Sequence, residues 1–369
     1  MRLALASLAA LALQLPGAVA RGEGARLGLR IEVGAEYDSN PHRTEQVEGT
    51  SPQPIVPSPL GRFVSNVDAL GLVAQRHALS LSVGLAGKAF NDPSARSENV
   101  LVAEASGGWS LLLGASTLTL SGAYFDVFGS IDALAFRSAS PVLRFERRFG
   151  NGLLTVGAGY RSFTFKPNGA YDFHGPTGFA TYRHLLAGRD TGDAEWEWSL
   201  GASAEDRQFD SVRCTDLSAC PGPASAGLRR DQFYMAHLSF TRTGSFLAGA
   251  GLSGDANLSN SYGETLYRGI LHVRAVVMLP WQLAFSMRAE LVAAKYREAV
   301  PLTRIVVTGA TIEDERRSTV RVELARPIAG GVEVGGRYTL YTNEIAAGPS
   351  RYRRQTGLIF VAFQADAGN

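Results

Sequence analysis

From Leu27 to Asp38 the chain changes character at every residue. Leu27, Leu29, Ile31, Val33, Ala35 and Tyr37 form one set, and Gly28, Arg30, Glu32, Gly34, Glu36 and Asp38 form the other. A period of two puts successive side chains on opposite faces of an extended strand, whereas a helix would scatter both sets around its circumference. The segment therefore demands a sheet with one apolar and one polar face. The same pattern recurs down the chain. Leu79, Leu81, Val83 and Leu85 alternate with Ser80, Ser82, Gly84 and Ala86, and Trp196, Trp198, Leu200 and Ala202 alternate with Glu195, Glu197, Ser199 and Gly201. Trp281, Leu283, Phe285, Met287, Ala289 and Leu291 oppose Gln282, Ala284, Ser286, Arg288 and Glu290. Val320, Val322 and Leu324 oppose Thr319, Arg321 and Glu323; Val332, Val334, Tyr338 and Leu340 oppose Glu333, Arg337, Thr339 and Tyr341. Weaker stretches of the same period lie near 63–74, 100–110, 117–127, 135–148, 153–165, 177–187, 232–242, 246–257, 266–279 and 352–363.

These segments predict an all-β chain of about sixteen strands, within about two. A soluble sandwich would also have one apolar face per strand, but its strands run to only about five or six residues. Several segments here alternate for much longer, and a membrane strand needs about nine to eleven residues to cross at a tilt. In lipid every backbone donor and acceptor must be paired, which a sheet achieves only by closing on itself. The expectation is a transmembrane antiparallel β-barrel in an outer membrane. Tyr37, Trp109, Phe149, Trp281 and Tyr296 fall near strand ends, where an interfacial aromatic belt would sit. Tight turns are expected at 75–77, 150–152, 243–245, the Leu279-Pro280 corner and 328–331; long connections are expected at 39–60, 210–230 and 297–317. Short turns at one end and long loops at the other match an outer-membrane barrel with both termini at the periplasmic end. The run Glu313-Asp314-Glu315-Arg316-Arg317 reads as a solvated loop.

Residues 1–20 read as an export leader: Arg2, the apolar run Leu3 to Leu13, and the small-residue site Ala18-Val19-Ala20. The barrel then occupies 21–369. Cys214 and Cys220, the only two cysteines, bracket a short polar segment that suits a disulfide loop in an oxidising compartment. A net charge of +2 argues against a nucleic-acid partner.

Most candidate chemistry fails on context. Gly249-Ala250-Gly251-Leu252-Ser253-Gly254 matches the dinucleotide fingerprint, but that motif requires a strand handing over to a helix, and strand-like sequence flanks it on both sides. The six histidines show no metal-ligand spacing, and no local serine or aspartate cluster completes a catalytic set around His237 or His272. No cofactor and no enzymatic activity are expected, although residues converging from distant strands lie beyond what spacing reveals. The polar face remains. Arg30, Glu32, Glu36, Glu104, Arg144, Glu146, Arg161, Glu195, Glu197, Glu205, Arg207, Arg274, Arg288, Glu290, Arg321, Glu323, Glu333 and Arg337 share the inward phase. Charges facing lipid are costly, so these side chains should line a lumen or brace its wall. A mixture of both signs implies a hydrated path of weak ion selectivity.

The stretch Val33-Gly34-Ala35-Glu36-Tyr37-Asp38-Ser39-Asn40-Pro41-His42-Arg43 resembles the opening strand of outer-membrane barrels of exopolysaccharide export systems, with its aromatic-Asp-x-Asn segment followed by an arginine. The resemblance implies a channel that passes a secreted polysaccharide. Some such exporters carry a helical-repeat domain ahead of the barrel; none precedes it here, so a separate periplasmic polysaccharide-export protein is the expected partner, beside outer-membrane lipid. A general diffusion porin for small polar solutes and a plugged structural or adhesive barrel are the alternatives.

Overall fold

The computed structural model describes residues 25–47, 51, 54–129, 135–187, 195–298, 317–343 and 350–367. The leader expected over 1–20 and most of the charge run, Glu313 to Arg316, lie outside the described residues. Sixteen long strands follow one another: β1 (Arg26–Asp38), β2 (Ser58–Ala74), β3 (His77–Phe90), β4 (Val100–Leu113), β5 (Ser116–Gly129), β6 (Phe136–Phe149), β7 (Gly152–Phe165) and β8 (Phe173–Ala187). They continue as β9 (Glu195–Val212), β10 (Leu228–Thr243), β11 (Phe246–Ser259), β12 (Leu266–Leu279), β13 (Leu283–Tyr296), β14 (Ser318–Ala329), β15 (Val332–Thr342) and β16 (Arg353–Ala367).

Each strand pairs antiparallel with the next, and β1 pairs with β16 from Leu27↔Ala367 to Asp38↔Thr356, so the sheet is a closed sixteen-stranded barrel. Closure leaves no strand edge unpaired, which is the condition lipid imposes. Large apolar side chains stand exposed on the outer phase of each strand: Val33 at 51%, Leu200 at 53% and Leu252 at 60%. Their polar neighbours on the inner phase are covered, with Glu32 at 5% and Glu36 at 3%. A protein designed for water would invert these two faces.

Among the described residues, connections at one end are two or three residues long: 75–76, 114–115, 150–151, 244–245, 280–282 and 330–331. Gly330 and Gly331 have φ of 60° and 78°, the consecutive left-handed pair that a two-residue hairpin of the favoured twist requires. At 280–282 the structure corrects the sequence reading. Trp281 and Gln282 are not strand residues; they take φ of 62° and 61° and turn the chain between the paired Leu279 and Leu283. Pro280 has no N–H to offer a ladder, so the hairpin ends there although the alternation runs on through the turn.

Longer connections gather at the opposite end and are tied to each other. His42 and Arg43, after β1, hold Glu98 between β3 and β4 at 3.0 and 2.9 Å. Cys214 and Cys220 form a disulfide in the connection 213–227. That connection docks on 260–265: the Cys214 amide donates to Ser261 Oγ at 2.9 Å, and the Tyr262 amide donates to the Cys214 carbonyl at 2.9 Å. The aromatic belt is also corrected in one place. Tyr37, Trp109 and Phe149 are exposed on the outer phase and Trp281 at the turn rim, but Tyr296 pairs with the covered Leu266 and shares the inner phase of Glu290 and Val292.

Candidate functional site: the barrel interior

Two reinforced walls line the loop-end half of the interior. The first spans β14–β16 and β1–β3. Glu36 receives Lys88 Nζ at 2.8 Å and Arg62 at 3.3 Å, while Arg337 reaches past β16 to donate twice to Glu32, at 3.0 Å each, and once to Glu323. Arg354 of β16 grips Asp38 of β1, with Nε at 2.9 and 3.0 Å from the two carboxylate oxygens. Asp38 also accepts from the Asn40 amide at 2.9 Å, and Asn40 Nδ2 donates to the Thr44 carbonyl at 2.9 Å. The Asp and Asn that carried the first-strand resemblance are therefore committed to locking the β1–β16 seam and starting the loop behind it. A buried charge is tolerated only when paired and hydrogen-bonded, and these groups satisfy both conditions.

The second wall lies across the ring, on β5–β12. Phe125, Phe136, Phe163, Phe173 and Phe209 form a continuous arc over five adjacent strands, with successive ring centroids 5.6, 5.1, 4.9 and 5.4 Å apart. Arginines cover its β8–β9 end: Arg207 lies over Phe173 and the neighbouring Phe233 at 5.2 and 4.4 Å, and Arg229 over Phe209 at 4.1 Å. These arginines are pinned by carboxylates, Arg207 by Glu205 at 2.7 Å and Arg229 by Asp231 and Glu264; Arg161 approaches Glu205 at 3.7 Å, and Arg268 holds Asp255 at 2.9 Å. Sequence reasoning placed Arg161, Glu205 and Arg207 on this face but missed the arc, because it assigned large apolar residues to lipid. The available signal was the phase: Phe163, Phe173, Phe209 and Phe233 all fall in step with charged residues on their own strands.

Toward the turn end the inner phase stays wet. The side chains of Arg30, Arg144, Arg183 and Arg288 are between 42% and 67% exposed, and Asp68 and Arg274 are exposed as well, as is Glu104 nearer the loop end of β4. Loose pairs join Arg30 with Glu333 at 3.7 Å and Arg144 with Glu146 at 3.8 Å, while Arg183 donates twice to Glu197 at 3.2 and 2.8 Å; Glu195 opens the same face of β9 and is half-buried. Arg274, Arg288 and Arg321 are directly opposite one another on β12, β13 and β14. Gly249 makes room for the first of these. A Cβ there would lie 2.9 Å from Arg274 Nε, and across the gap Arg274 reaches Thr241 Oγ1 at 3.1 Å. Residues 249–254 lie wholly inside β11, so the glycines of the dinucleotide-like string pack a barrel wall.

One constellation had no counterpart in local sequence spacing. Ser253 Oγ on β11 is 3.0 Å from His272 Nε2 on β12, and His272 Nδ1 is 3.7 Å from Glu290 Oε1 on β13. Arg288 holds the same carboxylate oxygen at 2.6 Å. His237, the other histidine singled out from sequence, is the register partner of Ser253 on β10.

No protein-family model matches the chain, and no curated protein matches it by sequence. Solved structures do match. OmpF of Salmonella typhi, in complex with daunomycin, is similar at 11% identity and a TM-score of 0.51, covering 93% of this chain and 98% of that one. A structure described as a bacterial polysaccharide outer membrane secretin is 9% identical, with a TM-score of 0.45 and coverage of 93% and 99%. OmpT of Vibrio cholerae, in its trimer form, is 11% identical, with a TM-score of 0.44 and coverage of 93% and 100%. At such identities the likeness speaks for architecture alone. The chain has the fold of the outer-membrane β-barrels, and its apolar outer belt places it in an outer membrane.

Proposed function

We propose that the protein is a water-filled channel that conveys polar solutes across the outer membrane, with a secreted polysaccharide, delivered by a separate periplasmic protein, as its passenger. The observation that carries the channel reading is the wet inner phase toward the turn end, where Arg30, Asp68, Arg144, Arg183, Arg274 and Arg288 offer both signs of charge to solvent. Barrels of about sixteen strands are wide enough to leave an aqueous bore. Polar groups of both signs bind a hydroxylated chain weakly and release it, which conduction requires.

The passenger rests on the first-strand resemblance, and one observation favours a general porin instead. Asp38 and Asn40 already have structural partners, and Arg207 and Arg229 lie over Phe173 and Phe209 in the aromatic arc on which sugar rings would stack. Conductance of the purified protein in planar bilayers separates the two. Steps of current that added neutral and acidic oligosaccharides interrupt support the polysaccharide reading. Current indifferent to every oligosaccharide supports the porin, and no current at all removes the channel.

A further inference from the structure

We infer that Ser253, His272 and Glu290 form an ester-cleaving triad on the inner wall, acting on small acyl esters of water-soluble alcohols that enter the bore. This goes beyond transport and needs only a hydrated interior, so it stands whichever solute the channel conveys. Nucleophile and base are within hydrogen-bond reach at 3.0 Å, and the base is backed by a carboxylate at 3.7 Å. The order Ser–His–carboxylate is the one that nucleophilic catalysis uses on unrelated folds, and the acid contact commonly tightens only when substrate binds.

Proton placement follows from the neighbours. Glu290 can only accept, so it selects the tautomer with hydrogen on His272 Nδ1 and leaves Nε2 free to accept from Ser253. Arg288 anchors Glu290 from the adjacent inward position of β13, so the carboxylate stays ionised and aimed. The triad is also held rigidly. Its members sit on three consecutive strands whose pairing runs unbroken through Gly251↔His272 and His272↔Glu290.

The chemistry balances without any co-reactant but water. As Ser253 Oγ bonds to the acyl carbon, His272 Nε2 takes its proton; the ester C–O bond then breaks, and Nε2 gives that proton to the departing alcohol. Water next loses a proton to Nε2 as its oxygen bonds to the acyl carbon. The Oγ–carbon bond breaks, and the proton returns to Ser253 as the acid leaves. Amides along β11 and β12 are spent in the ladder, so side chains must stabilise the oxyanion. Arg274, two residues beyond His272 on the same face, donates to Thr241 Oγ1 and so lends the site positive potential rather than a direct hydrogen bond. Ser253 is itself only 8% exposed whereas the His272 side chain is 41% exposed, so a carbonyl must slip in beside the imidazole, which suits acetyl-sized groups. A bilayer lipid is excluded as substrate, because the triad faces inward.

The test uses the folded full-length protein in detergent, with p-nitrophenyl acetate as substrate and diisopropyl fluorophosphate as label. The parent should turn over the ester and carry the phosphoryl group on Ser253. Ser253→Ala and His272→Gln should each lose at least about a hundredfold in kcat, while Ser199→Ala, a serine outside the triad, keeps the parent rate. Glu290→Gln should lower kcat with KM little changed, and Glu290→Asp should restore part of it, as expected of a positioning residue. Retained bilayer conductance and resistance to unfolding in cold detergent show that each variant is folded. The inference is overturned if Ser253 is unlabelled in folded parent protein, or if Ser253→Ala hydrolyses the ester at the parent rate.

Discussion

Replacing Asp38 by alanine tests the seam directly. Its carboxylate is fully buried, Arg354 beside it is 2% exposed, and the two share several short hydrogen bonds across the ladder that closes the ring. Asp38→Ala strands a buried guanidinium and also removes the acceptor of the Asn40 amide. Breaking one partner of a buried pair costs about 3–5 kcal/mol, far more than the pair contributes relative to an apolar substitute. Asp38→Ala should therefore destabilise the barrel by about 3–5 kcal/mol, and Arg354→Met by a comparable amount. The double variant should recover much of that loss, giving a coupling of about 2–3 kcal/mol. Urea unfolding of the protein folded into lipid vesicles, followed by tryptophan fluorescence, measures all three. Single variants that each cost less than about 1 kcal/mol, or that simply add, would refute the reasoning.

Two further predictions concern the surface and the loop-end rim. Val33→Arg puts a cation on the lipid side of β1 and should cost about 2–4 kcal/mol in the same assay, while Ser106→Arg, on the inner phase of β4, should cost almost nothing. Glu264, in the connection between β11 and β12, has its carboxyl pushed up from the ordinary 4.5 to about 7, chiefly by burial, with Arg229 opposing the shift. A carboxyl that binds its proton more tightly when folded adds stability that is complete below about 4.5 and is lost as pH rises through about 7, at most about 3 kcal/mol. Protection factors across 260–265, taken after dividing out the base-catalysed intrinsic exchange rate, should accordingly be higher at pH 5 than at pH 8, and Glu264→Gln should abolish the difference.

The fold was readable because lipid leaves so little freedom. Once Val33 must face hydrocarbon, Glu32 and Glu36 must face the other way, and a single strand already reveals the ring. The partners were not readable. Glu32 meets Arg337 from 305 residues away in sequence, and no spacing encodes which strand ends adjoin when a sheet closes. Trp281 misled because alternation is a property of side chains, whereas the turn is set by a proline and two left-handed residues of the backbone. His272 and Glu290 were half readable: each lies nine residues from Trp281, so a tight hairpin centred there makes them opposite neighbours. Ser253 was not readable in the same way, because the wider connection 260–265 leaves the β11–β12 register undetermined.

The meeting of β1 with β16 also constrains the order of manufacture. A growing chain remains an open ribbon with two raw margins until residues 353–367 arrive, and only then can Arg354 fasten onto Asp38. Until that clasp shuts, each margin is a template for any passing strand. A polypeptide halted even fifteen residues early would need a chaperone's shelter and could not simply settle for a smaller cylinder, because β15 is cut to fit β16.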